Sequence, residues 1–186
     1  KHHYITHALE EQVLFRLLEA ISEGRAVEIT IFSRRSRADK LWRVTPLRIY
    51  VSVQTGRRYL LGYNKKLKRM ISYRLDYISE VKPHEIDPDF DKYRQKLNSM
   101  KDHMWGVGCT RKEGNLEKVE FTIRFEDNEE YIYRRLLREK RCGTVERLDA
   151  NSARFTAEVY ETVELVPWIR TFICRITDIR FSNRTV

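Results

Sequence analysis

The chain has 186 residues, 41% hydrophobic and 34% charged, and its 36 Lys+Arg against 27 Asp+Glu leave a formal net charge of +9. That length suits one large domain or two small ones. No apolar run reaches the roughly 18 residues of a membrane helix, and no signal peptide is recognisable at the N-terminus.

Residues 8–23 place Leu9, Val13, Leu17 and Ile21 four apart, with Leu14, Leu18 and Ala20 widening the stripe, so residues 1–23 read as an amphipathic connecting helix stopped at Gly24. From Gly24 to Lys82 the period drops to two. Val27, Ile29 and Ile31 alternate with Glu28 and Thr30, and the basic loop Arg34-Arg35-Ser36-Arg37 follows. WRVTPLRIYVSV, RRYLLGY and KRMISYRL come next, separated by turn signals at Gln54-Thr55-Gly56 and Asn64-Lys65-Lys66, with a closing strand over 77–81. Short, closely spaced strands of this kind predict a small β-barrel over 24–82.

Residues 83–115 read as a helix and a linker. Asp87 suits an N-cap and Pro88 the first helical position, which predicts a helix over 88–104. Asp87, Asp89 and Asp91 imitate the start of a calcium loop, but the sixth position is Lys92 and the twelfth Asn98, so no metal site is assigned. GVGCTRKEGN, residues 106–115, has the composition of a linker. Over 116–186 the expected elements are a strand at 118–125, a helix at 129–138, a hairpin of 144–148 with 153–160, a helix at 163–168 and a strand at 172–181. Their βαββαβ order is that of the ferredoxin-like split unit, so the expected class is α+β.

Chemistry-bearing patterns are few. There is no Walker A loop, GxSxG or HExxH, and the histidines never stand at ligand spacing. Cys109 with His103 makes a poor nucleophile and base in a Gly-rich stretch, and nothing marks Asp76 and Glu80 as a catalytic pair. The three scattered cysteines, Cys109, Cys142 and Cys174, form no CxxC and point to a reducing cytoplasm. No catalytic residue, cofactor or metal is assigned, and the chain is expected not to be an enzyme.

The charge is concentrated. Residues 1–23 carry a net −2, residues 24–82 a net +11 and residues 83–186 none. A localised surplus points to a polyanion or an anionic ligand, and a solvated basic face is the plainer alternative. Arg57, Arg58, Tyr59, Tyr63, Tyr73 and Arg74 fall on adjacent predicted strands. Guanidinium groups grip phosphate and aromatic faces stack on bases. The tyrosines equally suit a barrel core with their hydroxyls at the rim. Strand register decides whether Tyr59 or Arg58 shares a face with Arg74, and the pattern leaves it open.

The run RVTPLRIYVSVQTGRRYLLGYNKKLKRMISYRLDYISEV resembles a WYL domain, a small Sm-like (SH3-type) barrel, at Pro46, Gly56, Tyr59-Leu60 and Arg74-Leu75. The segment from Val119 to Ile179, with VPWIRTFICRITDI and its Trp168-Ile169 pair, is similar to the C-terminal extension that commonly follows WYL domains. Two positions depart from the family: Arg58 replaces the signature Trp, and Tyr77 replaces a second Arg. The resemblance implies the effector-sensing part of a bacterial transcriptional regulator, binding single-stranded nucleic acid or a nucleotide-like anion. Such regulators meet duplex DNA through an N-terminal winged helix-turn-helix. None is found before residue 8: either it was removed, which is the favoured expectation, or the protein acts without one.

On this reading the ligand meets Tyr59 and Arg74 at family positions, Arg43 three residues before Pro46, and Arg58 and Arg69 by location and charge. The C-terminal extension is expected to form a homodimer whose arrangement the ligand biases. A sensor of a small anionic metabolite and an accessory or scaffold protein of a CRISPR or phage-defence system are the alternatives.

Overall fold

The three- and four-residue periodicity of the N-terminal segment becomes helix α1 (Glu11–Glu23). The computed structural model describes residues 11–33, 38–52, 55–109 and 116–182. Residues 8–10 of the expected helix and the basic loop 34–37 lie outside them. Val13, Leu17 and Ala20 form the buried stripe of α1, and burying a leucine completely contributes about 1.5–3 kcal/mol. Gly24 ends the helix at φ +67°, a conformation that costs glycine no Cβ clash.

Five antiparallel strands follow: β1 (Arg25–Ser33), β2 (Ala38–Val51), β3 (Arg58–Asn64), β4 (Arg69–Arg74) and β5 (Ile78–Ile86). They form one sheet in the order β4-β3-β2-β1-β5. The long β2 serves two neighbours, pairing with β1 from Ala38 to Val44 and with β3 from Thr45 to Val51. A bulge between Pro46 and Arg48, inside the half that pairs with β3, leaves Leu47 as the extra, buried residue. Beside it, β3 offers Gly62, where a Cβ would overlap Val44 Cγ1 and lie 3.0 Å from the Thr45 carbonyl oxygen. Val27, Ile29, Val44, Leu60, Tyr73 and Val81 close around the buried stripe of α1. The helix expected as a connector therefore supplies part of this core.

Helix α2 (Phe90–Met100) begins two residues later than expected and passes into a 3-10 turn over Lys101–His103. Asp87 is buried instead as an anchor. Its carboxylate accepts from Lys65 Nζ at 2.8 Å, from the Thr45 hydroxyl and from the Asp89 N–H at 3.1 Å. Burial opposes ionisation of Asp87, but these donors outweigh it and hold its carboxyl below the usual carboxylate range.

The chain divides into two compact units, Lys1–Ser99 and Met100–Val186. The second contains β6 (Glu117–Arg124), α3 (Glu130–Glu139), β7 (Thr144–Asp149), β8 (Ser152–Val159), α4 (Val166–Arg170) and β9 (Ile176–Phe181). Its four strands form an antiparallel sheet in the order β7-β8-β6-β9, and Phe121, Phe155, Leu136, Ile169 and Phe172 fill its core. The molecule is thus a mixed α+β protein with two antiparallel sheets.

Two local expectations change here. The last strand starts at Ile176 rather than at 172, because the Phe172 N–H donates to the Ile169 carbonyl at 2.9 Å and Arg175 N–H to the Phe172 carbonyl at 2.8 Å. These turns point Phe172 into the core. The glycine-rich stretch expected as a linker is, over 106–108, a built loop. Three consecutive N–H groups, of Gly106, Val107 and Gly108, donate to the Glu164 carboxylate at 3.1, 2.9 and 3.1 Å. Residues 110–115 lie outside the described residues, and no helix among the described residues is long and apolar enough to cross a membrane.

Candidate functional site

Strand β3 alternates around Leu60, which faces the core, so Tyr59 and Leu61 face away from it. The register resolves what the pattern left open: Tyr59 lies opposite Arg74, and Leu60 opposite Tyr73. Directly opposed residues share a face. Strand β2 extends the row with Tyr50 opposite Tyr59, and Arg48 opposite Leu61. Tyr50, Tyr59 and Arg74 therefore form a line across three strands, flanked by Arg48 and Ser72.

Beyond β4, the 3-10 turn Leu75–Tyr77 brings two more side chains to Arg74. Its Nε donates to Asp76 Oδ1 at 3.0 Å, Nη2 donates to Oδ2, and its guanidinium lies 4.0 Å from the centroid of the Tyr77 ring. A bidentate pair and an aromatic bed fix the plane of the group. The Asp76 hydrogen bond raises the Arg74 pKa against an opposing burial effect. Burial pushes the Asp76 carboxyl up, but the bond and charge of Arg74, with Arg57 adding, bring it below its ordinary value. Both side chains keep about a fifth to a quarter of their surface accessible, 24% for Arg74 and 20% for Asp76, so an incoming ligand can touch them.

This arrangement separates two chemical features. The charge of Arg74 is balanced by Asp76, and the pair presents a flat polar plate beside Tyr50 and Tyr59. Further positive charge comes from Arg48 and from Arg57, which acts on Asp76 at a distance; no ion pair within 4.0 Å involves either among the described residues. A planar, stackable group carrying an anion matches both features.

Of the five residues expected at the site, the fold brings together two, Tyr59 and Arg74. Arg58 is exposed opposite Val51, on the other face of the sheet from Tyr59. Arg43 lies in the half of β2 that pairs with β1, opposite Glu28 and ion-paired with Glu85, roughly 20 Å along the strand from Tyr50. Arg69 is opposite Asn64 at the far end of β4, about 17 Å from Arg74. The sequence reading missed Arg48, Tyr50, Asp76 and Tyr77 as site residues. Simple alternation from the core residue Val44 puts Arg48 and Tyr50 on the core side, and the bulge at Leu47 turns them outward. Tyr77, met as a departure from the family, is the bed under Arg74.

Burial first, with Glu161 and Glu164 adding, pushes the Cys109 thiol up to about 12, and His103 Nδ1 is engaged by the Glu158 carbonyl at 2.8 Å. Among the described residues no cluster of three metal-ligating side chains occurs.

An antiparallel sheet with α1 on one face carries a row of tyrosine and arginine on the other. A family model, the WYL domain, matches residues 12–83, from the second residue of α1 into β5. Two solved structures match over most of the chain. Proteasome accessory factor B/C (PafBC) of Arthrobacter aurescens is 15% identical, with 96% of this chain and 25% of that one covered at a TM-score of 0.42. A CRISPR Cas-related protein is 13% identical, with 94% and 48% covered at a TM-score of 0.57. The chain spans about a quarter and about half of their lengths. No curated protein matches the sequence.

Proposed function

We propose that this chain is the effector-sensing part of a WYL-type regulator, binding single-stranded nucleic acid or a nucleotide-like anion. The first unit is read as an Sm-like barrel and the second as a ferredoxin-like split βαβ unit that carries the homodimer. The binding face is Arg48, Tyr50, Tyr59, Arg74 and Tyr77, with Asp76 holding Arg74 in place. The observation that carries this reading is the register that sets Tyr59 opposite Arg74 and Tyr50 beside it. Bases stack on the tyrosines and on the guanidinium plate, while Arg48 and Arg57 attract the backbone phosphates. The reading assigns no catalytic step, cofactor or metal. An accessory role in a CRISPR or phage-defence system is a second reading, favoured by the CRISPR Cas-related structure, and it uses the same face.

Fluorescence anisotropy with short single-stranded DNA, single-stranded RNA and duplex DNA at two salt concentrations tests this, for wild type and Arg74→Ala. A strand held through three or four phosphates gives a log–log salt slope of about −2 to −3. A small metabolite with one or two charges gives a much shallower one. Binding to none of the three, or binding that Arg74→Ala leaves unchanged, overturns the site.

A further inference from the structure

Strand β9 is an edge of the second sheet: β6 lies on one side and, among the described residues, no strand lies on the other. The Ser182 N–H donates to the Lys118 carbonyl at 2.9 Å, and Arg180 and Asp178 are in phase with it, opposite Glu120 and Thr122. The backbone groups of these residues therefore face β6, and those of Ile179, between them, face outward.

The side chains divide in the same way. Ile179 lies opposite Phe121 on the core side of the sheet, yet is 41% exposed. With Ile173, 68% exposed, and with Ile169, Ile176 and Phe181, it lines an apolar groove of about 380 Å³ beside the five-residue α4. On the other face Asp178 and Arg180 stand side by side, exposed and paired at 3.0 Å. An edge with outward backbone groups, an apolar flank and no proline or lysine is open to strand addition.

We propose that β9 pairs antiparallel with β9 of a second copy of this chain, about a two-fold axis at Ile179. The charge pattern selects both the partner and the register. A two-fold axis normal to the sheet must pass through a residue, since opposed side chains share a face. Centred on Asp178 or Arg180, it sets like charges against each other. Centred on Ile179, it sets each Asp178 against Arg180 of the other copy, on positions where antiparallel side chains approach closest. Ile179 then meets its counterpart, and the two apolar grooves join on the helix side. The inference rests on the homodimer assigned above and gives it a strand and a register.

Sedimentation equilibrium of the full chain tests it, with thermal melts to confirm folding. Asp178→Arg and Arg180→Asp should each weaken the dimer by about tenfold or more, since each turns two attractive pairs into repulsive ones. The double exchange should restore the dimer to near wild-type strength. In a Cys174→Ser background, Ile179→Cys should form a symmetric disulfide on mild oxidation and Thr177→Cys should not, because opposed Cα atoms stand about 5.5 Å apart. The crosslink decides the matter if a charge variant fails to fold. A dimer indifferent to the exchanges and uncrosslinked at 179 overturns the β9 register and keeps the homodimer. A monomeric wild type overturns both, and leaves ligand binding by Tyr59 and Arg74 to be judged by anisotropy in the same samples.

Discussion

Replacing Asp76 by Asn should tighten the binding of an anionic strand. Asp76 accepts from two nitrogens of Arg74 and also feels Arg57, so its carboxylate cancels one positive charge where a phosphate would approach. Asn keeps the shape and one acceptor oxygen. The bond from Arg74 Nε survives, and the guanidinium stays on Tyr77. The charge of the face rises by one. A phosphate about 6 Å from the lost carboxylate, at an effective dielectric constant of about 40–80, gains about 0.7–1.4 kcal/mol, or roughly three- to tenfold in affinity. The gain should shrink as salt rises. Anisotropy with a labelled single-stranded oligonucleotide reads it directly. Tyr59→Leu is the companion variant, expected to lose about 1–3 kcal/mol of stacking without changing the salt slope. If Asp76→Asn binds no better than wild type while melting normally, the Arg74–Asp76 plate is not beside the ligand.

Three further outcomes concern the scaffold. Thr45→Val removes a buried donor to the buried Asp87 carboxylate and should cost about 1–3 kcal/mol in urea unfolding. Asp87 and Asp76 both have lowered carboxyl pKa values in the folded state. Their ionised forms stabilise the fold above the unfolded pKa of about 3.8, and that contribution is lost as pH falls through the lower folded values. Stability should therefore drop below about pH 4, and less steeply in Asp87→Asn, as followed by circular dichroism. Gly62→Ala drives a methyl into Val44 and the Thr45 carbonyl and should cost about 1–3 kcal/mol, with a thermal melt as the check. In native protein at pH 8 a thiol reagent should label the exposed Cys174 and spare Cys109 and Cys142, both buried and raised in pKa; rapid labelling of Cys109 would contradict its burial.

Much of the fold was legible because periodicity is local. The stripe Val13, Leu17 and Ala20 of α1, the alternation of Val27 and Ile29, and the βαββαβ order of the second unit follow from residues a few positions apart. Boundaries were less legible where a tertiary partner competes with local preference. Asp87 was read as a helix cap, and its carboxylate does accept the Asp89 N–H, but Lys65 and Thr45 hold it as well and the helix starts only at Phe90. Residues 106–108 have the composition of a linker, but the Glu164 carboxylate gathers their N–H groups.

The sequence by itself determined that residues 24–82 carry the positive surplus and the Arg–Tyr mixture, and it named Tyr59 and Arg74 as candidates. Only the tertiary structure decided that these two share a face, that Arg58 does not, and that Arg43 is committed to Glu85. It also turned Arg48 and Tyr50 outward at the Leu47 bulge and set Asp76 and Tyr77 around Arg74. The physical reason is the two-residue period of a strand. A shift of one residue moves every side chain to the opposite face, and the shift is set by what packs on the far side of the sheet. Here that is the apolar cluster in which the α1 stripe of Val13, Leu17 and Ala20 joins Leu60 and Tyr73, forty or more positions further along the chain.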